Sequence, residues 1–569
     1  MGRLEVQTMD VKRLVAVCAV AFSMIVIPVG AGDPTAAEID AIFADYDSTT
    51  SPGCALGVIR GGELIYKRGY GMANLEYGIA LSPRSVFRTA SVGKQFTAMA
   101  IAILHQQGEL SVDDPLSTFF PDFPDWADEV RIRHLVHHTS GIRDYLTLAW
   151  LAGKGDEDFY TDEYALDLIG AQHHLNFAPG DEHLYSNSGY LLLAHIVKRV
   201  TGESLREWAK ENIFGVLGMT NSHFHDDHTH IVPFRADGYA PAGDGYRISM
   251  TILDMVGDGG VYTTVEDFLL WDRNFYDNKL GGGGDELIEL VTTPGELNSG
   301  ADMTYAFGLG VEEYRGLRLI EHGGAFVGFR TDTIRFPEQK FSVVVYCNRA
   351  DGNPGKRSRQ VAELFLNDVM KPKEGAATKS SEELPRVEVP AAKLESLSGH
   401  YWSEKRRESL EVAWGDGSLE FVVSDELRFE MVPLAGDRFA ISTPLAGIEV
   451  TFNEIAGGKR QMSVMLDGVK EPRVYESFVP REPSPVELEE FAGIYLSDEL
   501  GVSYALAVEE GSLVFRIVRH EAHELEPLFG EVFGSDDYGV FEFQRRADGA
   551  VTGFLLDAGR VRNLEFTRR

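Results

Sequence analysis

The chain has 569 residues, 44% of them hydrophobic, which is enough apolar material for full cores and, at about 150 residues per domain, for three or four domains. Lys and Arg number 53 against 88 Asp and Glu, and the resulting net charge of −35 repels phosphate backbones and anionic headgroups, which excludes a nucleic-acid partner. Three cysteines are too few for a disulfide-stapled scaffold or a cysteine-based zinc module.

In chain order, Lys12 and Arg13 precede an apolar run from Leu14 to Val29, followed by the small residues Gly30, Ala31 and Gly32. That order predicts a cleavable signal peptide over residues 1–32 and a periplasmic or secreted mature chain, with an uncleaved anchor as the alternative. No later apolar run is long enough to span a bilayer. Cys54 and Cys347 remain after cleavage and are read as two buried free thiols, with pairing outside the cytoplasm as the alternative. Cys54 to Arg60 and Glu63 to Gly69 are β-rich runs joined by Gly61-Gly62, a hairpin signal. Helical runs follow at Lys94 to Gln107, ended by Gly108, at Tyr190 to Val200, and at Val265 to Tyr276 with Glu266 and Asp267 in its first turn. Leu317 to His322, Phe329 to Phe336 and Phe341 to Cys347 read as strands, and Gln360 to Met370 as a closing helix. Strands at both ends with helices between them predict an α+β domain over residues 33–370 whose antiparallel sheet joins the two ends.

Residues 371–389 lack apolar periodicity and read as a linker. Beyond it the pattern is short alternating strands with Gly and Asp turns. Gly399, Tyr401 and Ser403 match Gly493, Tyr495 and Ser497, and Gly417-Ser418-Leu419 matches Gly511-Ser512-Leu513, all at an offset of 94 residues. Two copies of one small all-β unit are expected, over 390–482 and 483–569, each a closed antiparallel β-barrel that hides its own edges.

Three elements carry chemistry. Ser91-Val92-Gly93-Lys94 is the chain's Ser-x-x-Lys and starts the long helix. An i, i+3 pair shares one helix face, so Lys94 can reach the Ser91 hydroxyl and activate it, while the helix N-terminus offers N–H groups to a developing oxyanion. Tyr185-Ser186-Asn187 sits on a loop after Pro179-Gly180 and before a helix, which can present a phenol and an amide to a cleft. His322-Gly323-Gly324 is expected at the end of one strand and before the next, where paired glycines permit close approach of a substrate.

In this order and at these separations, the three elements resemble the active-site set of the serine β-lactamase and penicillin-binding superfamily, and within it the class C β-lactamase branch that includes D,D-peptidases, esterases and D-aminopeptidases. The resemblance covers about residues 35–370 and is supported by His138-Thr139-Ser140-Gly141 and Gly259-Gly260-Val261-Tyr262-Thr263-Thr264. It implies a β-lactamase/transpeptidase-like fold with Ser91 as the acylated nucleophile and proton transfer shared by Lys94 and Tyr185. Asn187 would hold the substrate amide or orient Lys94, and the oxyanion hole would be the N–H groups of Ser91 and of Ala325, beyond Gly324. His322 stands where β-lactamases carry the lysine of Lys-Thr-Gly. A histidine is mostly neutral at pH 7, so carboxylate recognition there should weaken.

A catalytic domain followed by two barrels resembles the architecture of bacterial D-aminopeptidases of this branch, as do the strings Ser140 to Tyr145, His322 to Arg330 and Tyr495 to Leu500. That resemblance implies an acidic group, from a loop of the last domain, for the substrate's free amine. The expected loop is His520 to Glu526, with Glu521 or Glu524 as the acid. The histidines from His223 to His230 crowd one loop but show no fixed ligand spacing, so no metal and no cofactor is expected. The sequence therefore reads as a serine hydrolase of small peptides, amides or esters, releasing N-terminal D-residues through an acyl-enzyme. The alternatives are a promiscuous esterase or D,D-peptidase, or a non-turnover penicillin-binding or cell-wall-sensing protein. Cell-wall fragments and a second copy of the chain are the further partners this reading admits.

Overall fold

The computed structural model describes residues 33–155, 158–372, 387–415, 417–424, 427–435, 437–442, 447–466, 472–517 and 521–569. The expected signal peptide and residues 373–386 of the expected linker lie outside the described residues. Among the described residues no helix is long and apolar enough to cross a membrane.

Cys54–Arg60 (β1) and Glu63–Tyr70 (β2) form the expected hairpin. Gly61 and Gly62 both have positive φ, 58° and 79°, the tight-turn geometry that matches the twist of paired strands. Gly310–Tyr314 (β3), Leu317–Phe326 (β4), Phe329–Phe336 (β5) and Phe341–Cys347 (β6) complete a sheet ordered β3-β4-β5-β6-β1-β2. The two ends of the domain therefore meet, β1 antiparallel to β6. Period-two alternation makes β6 the wall between two cores. Val343, Val345 and Cys347 pack with Leu56, Val58 and Val361 on one face, while Val344 and Tyr346 join Phe96 and Trp271 on the other.

The second core is built on Lys94–Gln107 (α1), which is buried on all sides from Lys94 to Leu104. It stops at Gly108, φ 76°, whose N–H returns to the carbonyls of Leu104 and His105. Tyr145–Leu151 (α2), Asn187–Thr201 (α3) and Val265–Asn274 (α4) surround it, and Pro354–Leu366 (α5) covers the opposite face of the sheet.

Two expectations need correction. Cys54 and Cys347 are not free thiols: they face each other across the β1–β6 register and form a disulfide. Their 293-residue separation hid a cross-strand pair that only the sheet order brings together. Nor does His322-Gly323-Gly324 end a strand. β4 runs on to Phe326, paired throughout with β5, whereas β3 pairs with it only as far as Glu321. Among the described residues, 322–326 thus keep one free strand edge.

The C-terminal region forms two closed eight-stranded antiparallel barrels, from Gly399–Ser403 to Arg473–Phe478 and from Gly493–Ser497 to Val561–Arg568. The repeat survives as structure. Gly399 pairs with Val412 and Gly493 with Leu506, while Tyr401 and Tyr495 donate their hydroxyls to the carbonyls of Leu397 and Phe491, each at 2.7 Å. The second barrel docks on the N-terminal α+β domain. Tyr538 stacks on Trp150 at 5.5 Å, Tyr504 donates to the Leu151 carbonyl at 2.7 Å, and the buried Arg143 pairs with Glu499 at 2.6 Å. The first barrel packs on the second through Trp402, Phe478 and Phe529, and through Arg407 to Asp557 at 3.0 Å.

Arg143 and Glu499 are both almost wholly buried, so removing one carboxylate strands a guanidinium away from water. Glu499→Ala should cost about 3–5 kcal/mol in denaturant unfolding, and the double change Arg143→Met with Glu499→Leu should recover only part of it, because it leaves the Arg562 and Asn563 carbonyls and the His173 N–H without these partners. An unaltered midpoint in Glu499→Ala would show that the pair does not hold the barrel.

Candidate active site

The site is built around a turn. Ala90–Gly93 is a tight helical turn that feeds directly into α1, placing Ser91 just before the helix. Ala90 has φ 48°, in the left-handed region that L-residues avoid, so the Ser91 turn is strained by local geometry. Two contacts hold it: Thr89 N–H donates to the Val261 carbonyl at 2.9 Å, and Thr331 Oγ1 of β5 donates to the Thr89 carbonyl at 2.7 Å. A Cβ on Gly324 would collide with Thr331 Oγ1 and the Thr89 carbonyl and lie 3.2 Å from the Ser91 nitrogen. Gly324 therefore lets the free edge of β4 close against the Ser91 turn.

Lys94 is fully buried and its ammonium or amine has three neighbours. Nζ lies 3.2 Å from Ser91 Oγ and 2.9 Å from Asn187 Oδ1, and it donates to the backbone carbonyl of Asp258. Of the two roles expected for Asn187, this contact is the one that orients Lys94. Asn187 is itself fixed as the first residue of α3, its N–H donating to Asp144 Oδ2 at 2.7 Å. Tyr185 lines the same cleft of about 550 Å³ as Ser91 and Asn187. Its hydroxyl is buried without a partner among the described residues, a free phenol beside the serine–lysine pair. Its ring lies tilted against that of His138 with centroids 4.1 Å apart, and Lys94 Nζ lies 4.8 Å from the ring centroid.

His322 lines the same cleft. Nδ1 lies 2.6 Å from the Gly323 carbonyl, which can only accept, so Nδ1 carries the proton; Nε2 then accepts from the Tyr305 hydroxyl at 2.9 Å. Burial and the nearby Lys94 charge push its pKa down to about 4. Both ring nitrogens are committed and the ring is neutral, so it cannot serve as the cation that reads a carboxylate. The same burial pushes His137 to about 4 and His138 well below its usual range. Ala325 follows on the free edge and also lines the cleft.

Neither Glu521 nor Glu524 lines the cleft; both are exposed, and His520 lies outside the described residues. The last barrel does reach the cleft, but through the turn Gly559-Arg560, which joins Val551–Ala558 to Val561–Arg568. It brings a base, not an acid: the Arg560 guanidinium carbon sits 4.9 Å over the Tyr185 ring. Which hairpin of a barrel faces a neighbour depends on the docking angle, and the sequence does not state that angle. Other wall residues also went unread, among them Arg88, Tyr145, Asp258 and Asp332. Burial raises the pKa of both Asp258 and Asp332, which are held by the Tyr145 and Ser358 hydroxyls. The rings of His223, His225 and His230 gather within 5.4–6.2 Å of one another, yet among the described residues no three donors are arranged to hold a metal ion.

A family model described as Beta-lactamase matches residues 39–367. A D-aminopeptidase of Gluconobacter oxydans is 30% identical over 299 residues, 52% of this chain and 56% of the relative. A D-aminopeptidase of Brucella canis is 29% identical over 318 residues, 55% of this chain and 60% of the relative. The matched regions thus span less than two thirds of those relatives. Among solved structures, an octameric penicillin-binding protein homologue from Pyrococcus abyssi has a TM-score of 0.55 at 23% identity, covering 77% of this chain and 98% of its own. A D-amino acid amidase from Ochrobactrum anthropi SV3 has a TM-score of 0.50 at 22% identity, covering 58% and 99%. These two likenesses establish the fold alone.

Two predictions follow from the walls of the cleft. Gly324→Ala should push β4 off the nucleophile turn and lower kcat about a hundredfold, because displacements of an ångström at a reacting centre have that effect. Near-normal steady-state kinetics would show that β4 does not need this approach. Second, unfolded histidines take up protons near 6.5 whereas His137 and His322 wait until about 4. The unfolded state therefore binds more protons in that window, so stability is full above pH 6.5 and is lost as pH falls toward 4. The melting temperature should drop between pH 7 and pH 5; a flat profile would show that these rings are not held neutral.

Proposed function

Because the chain belongs to the beta-lactamase family, we propose that it is a serine hydrolase acting through an acyl-enzyme, and that its preferred reaction is cleavage of the amide bond following an N-terminal D-residue. The observation that carries the chemical part is Ser91 beside the buried Lys94 and Asn187, next to a Tyr185 hydroxyl that has no partner among the described residues. The preference for D-residues rests on the relatives named D-aminopeptidase.

The chemistry runs as follows. Ser91 Oγ attacks the substrate carbonyl while its proton is taken up by the Lys94–Tyr185 pair, which passes one proton on to the leaving nitrogen. Asn187 Oδ1 and the Asp258 carbonyl hold the Lys94 N–H groups, which aims the remaining position of Nζ at Ser91. The oxyanion develops against the N–H groups of Ser91 and Ala325, which Gly324 brings together. Tyr185 returns a proton to the leaving nitrogen, and water then attacks the acyl-enzyme through the same groups in reverse. The Cys54–Cys347 disulfide supports an exported chain, since such bonds persist outside the reducing cytoplasm.

D-alanine and L-alanine p-nitroanilides test both parts. The wild-type chain should favour the D-form, and Ser91→Ala should reduce kcat about a thousandfold or more. Activity surviving in Ser91→Ala within about tenfold would refute the acyl-enzyme. Serine-dependent turnover without stereochemical preference would retain the hydrolase and refute the D-residue reading.

A further inference from the structure

The cleft contains a cation that the proposed chemistry does not use. Arg560 lies at the tip of the last hairpin of the second barrel, and its main chain is pinned to the catalytic domain. Its carbonyl accepts from Asn176 Nδ2 at 2.9 Å, and two residues on, Arg562 N–H donates to Asn176 Oδ1 at 2.8 Å while its guanidinium pairs with Glu182 at 3.1 Å. The Arg560 side chain is left over. Its one ion-pair neighbour among the described residues is Asp144 Oδ2, at 3.8 Å, beyond hydrogen-bond reach. That carboxylate is already engaged by the N–H groups of Asn187 and Thr147. Arg560 thus donates no hydrogen bond among the described residues, is 44% exposed, and hangs over Tyr185 at the mouth of the cleft.

The cleft's charge points the same way. Arg88 lines it with a buried Nε that has no partner among the described residues. The carboxylates on the wall, Asp258 and Asp332, are satisfied by hydroxyls and held toward their neutral forms by burial. In a chain with 88 acidic and 53 basic residues, a cleft whose available charge is cationic is selective for anions.

We infer that Arg560 binds a carboxylate on the leaving-group side of the scissile bond, so that the substrate is a short peptide with a free C-terminal carboxylate rather than a simple amide. This rests on the acyl-enzyme reading above, in which Tyr185 protonates the leaving nitrogen. The group over the Tyr185 ring then stands beside the leaving residue. In a released amino acid the carboxyl carbon lies about 2.5 Å from that nitrogen, within the span between the phenol and a guanidinium 4.9 Å over its ring. The planar fork of Arg560 suits a carboxylate. The substrate's own ammonium lies on the acyl side, away from it.

The test compares the dipeptide D-Ala-Gly with its C-terminal amide, using the full chain and p-nitrophenyl acetate as a separate report on Ser91. Wild type should favour the free acid by about tenfold to a hundredfold in kcat/KM, the range of a hydrogen bond to a charged group. Arg560→Ala should bring that ratio near unity, mainly by raising KM for the acid. Arg560→Lys should restore part of it, and Arg560→Glu should invert it. A wild-type ratio near one, or a ratio that Arg560→Ala leaves unchanged, overturns the proposal while the ester still turns over. Loss of both substrates in proportion in Arg560→Ala also overturns it, as the mark of a merely structural role. Absence of Ser91-dependent ester turnover refutes the acyl-enzyme reading itself, and this proposal with it.

Discussion

The buried pair between Arg143 and Glu499 is the constraint on which the rest depends. Arg143 has five N–H donors, and all are used: on Glu499, on Gln172 Oε1, twice on the Arg562 carbonyl and once on that of Asn563. Glu499 Oε2 takes a further N–H from His173. A buried ion pair adds little net stability over an apolar contact, but it penalises any arrangement that leaves one partner alone. It therefore selects the docking geometry of the second barrel. The next two residues carry that geometry into the site. Asp144 receives the Asn187 N–H, and Tyr145 donates to Asp258 at 3.0 Å. Asn187 and Asp258 in turn hold Lys94. Three consecutive residues thus tie the barrel, the helix that orients the lysine and the loop that caps it.

Three of the nine non-glycine residues with positive φ among the described residues border the cleft. Ala90 at φ 48°, His138 at 57° and Val327 at 42° are non-glycine residues in the left-handed region, and each adjoins a cleft element: the nucleophile turn, the platform under Tyr185 and the β4–β5 turn. Such positions cost on the order of 1 kcal/mol or more each and persist only where surrounding contacts over-determine them. The Thr331–Thr89 bond and the Gly324 approach supply that over-determination at Ser91.

What could be read from the chain follows the range of the interaction. Lys94–Gln107, Phe329–Phe336 and Phe341–Cys347 fall where periodicity and glycine punctuation put them, because helix ends and strand alternation are local. The barrel repeat was legible because identical spacing reproduces identical pairing. Ser91, Lys94, Tyr185 and Asn187 were legible as motifs, and the fold brings them together. One miss is local: the closing helix expected over Gln360–Met370 runs over Pro354–Leu366, opened by a proline at its first position. The others are contacts between distant segments. The disulfide joins strands 293 residues apart, and the glycines of β4 were misplaced because only the short β3 reveals the free edge. Ser140 to Tyr145 and Tyr495 to Leu500 each drew attention as strings, yet nothing local shows that Arg143 of one meets Glu499 of the other. Arg560 carried no signal at all, since an arginine in a hairpin turn is ordinary until the barrel is docked.

The division of charge between floor and mouth follows from solvation. The floor already holds Lys94, and burial beside that charge keeps His322 neutral down to about 4. A further cation there would be desolvated and would face Lys94, and His322, with both ring nitrogens committed, shapes the cleft without reading charge. A guanidinium at the mouth escapes both penalties. Arg560 keeps 44% of its side chain exposed to water and lies 4.9 Å over the Tyr185 ring. Bond-making at the floor and charge recognition at the mouth therefore need two different structural supports. The catalytic domain provides the first, and the second barrel, held by Arg143 and Glu499, provides the other.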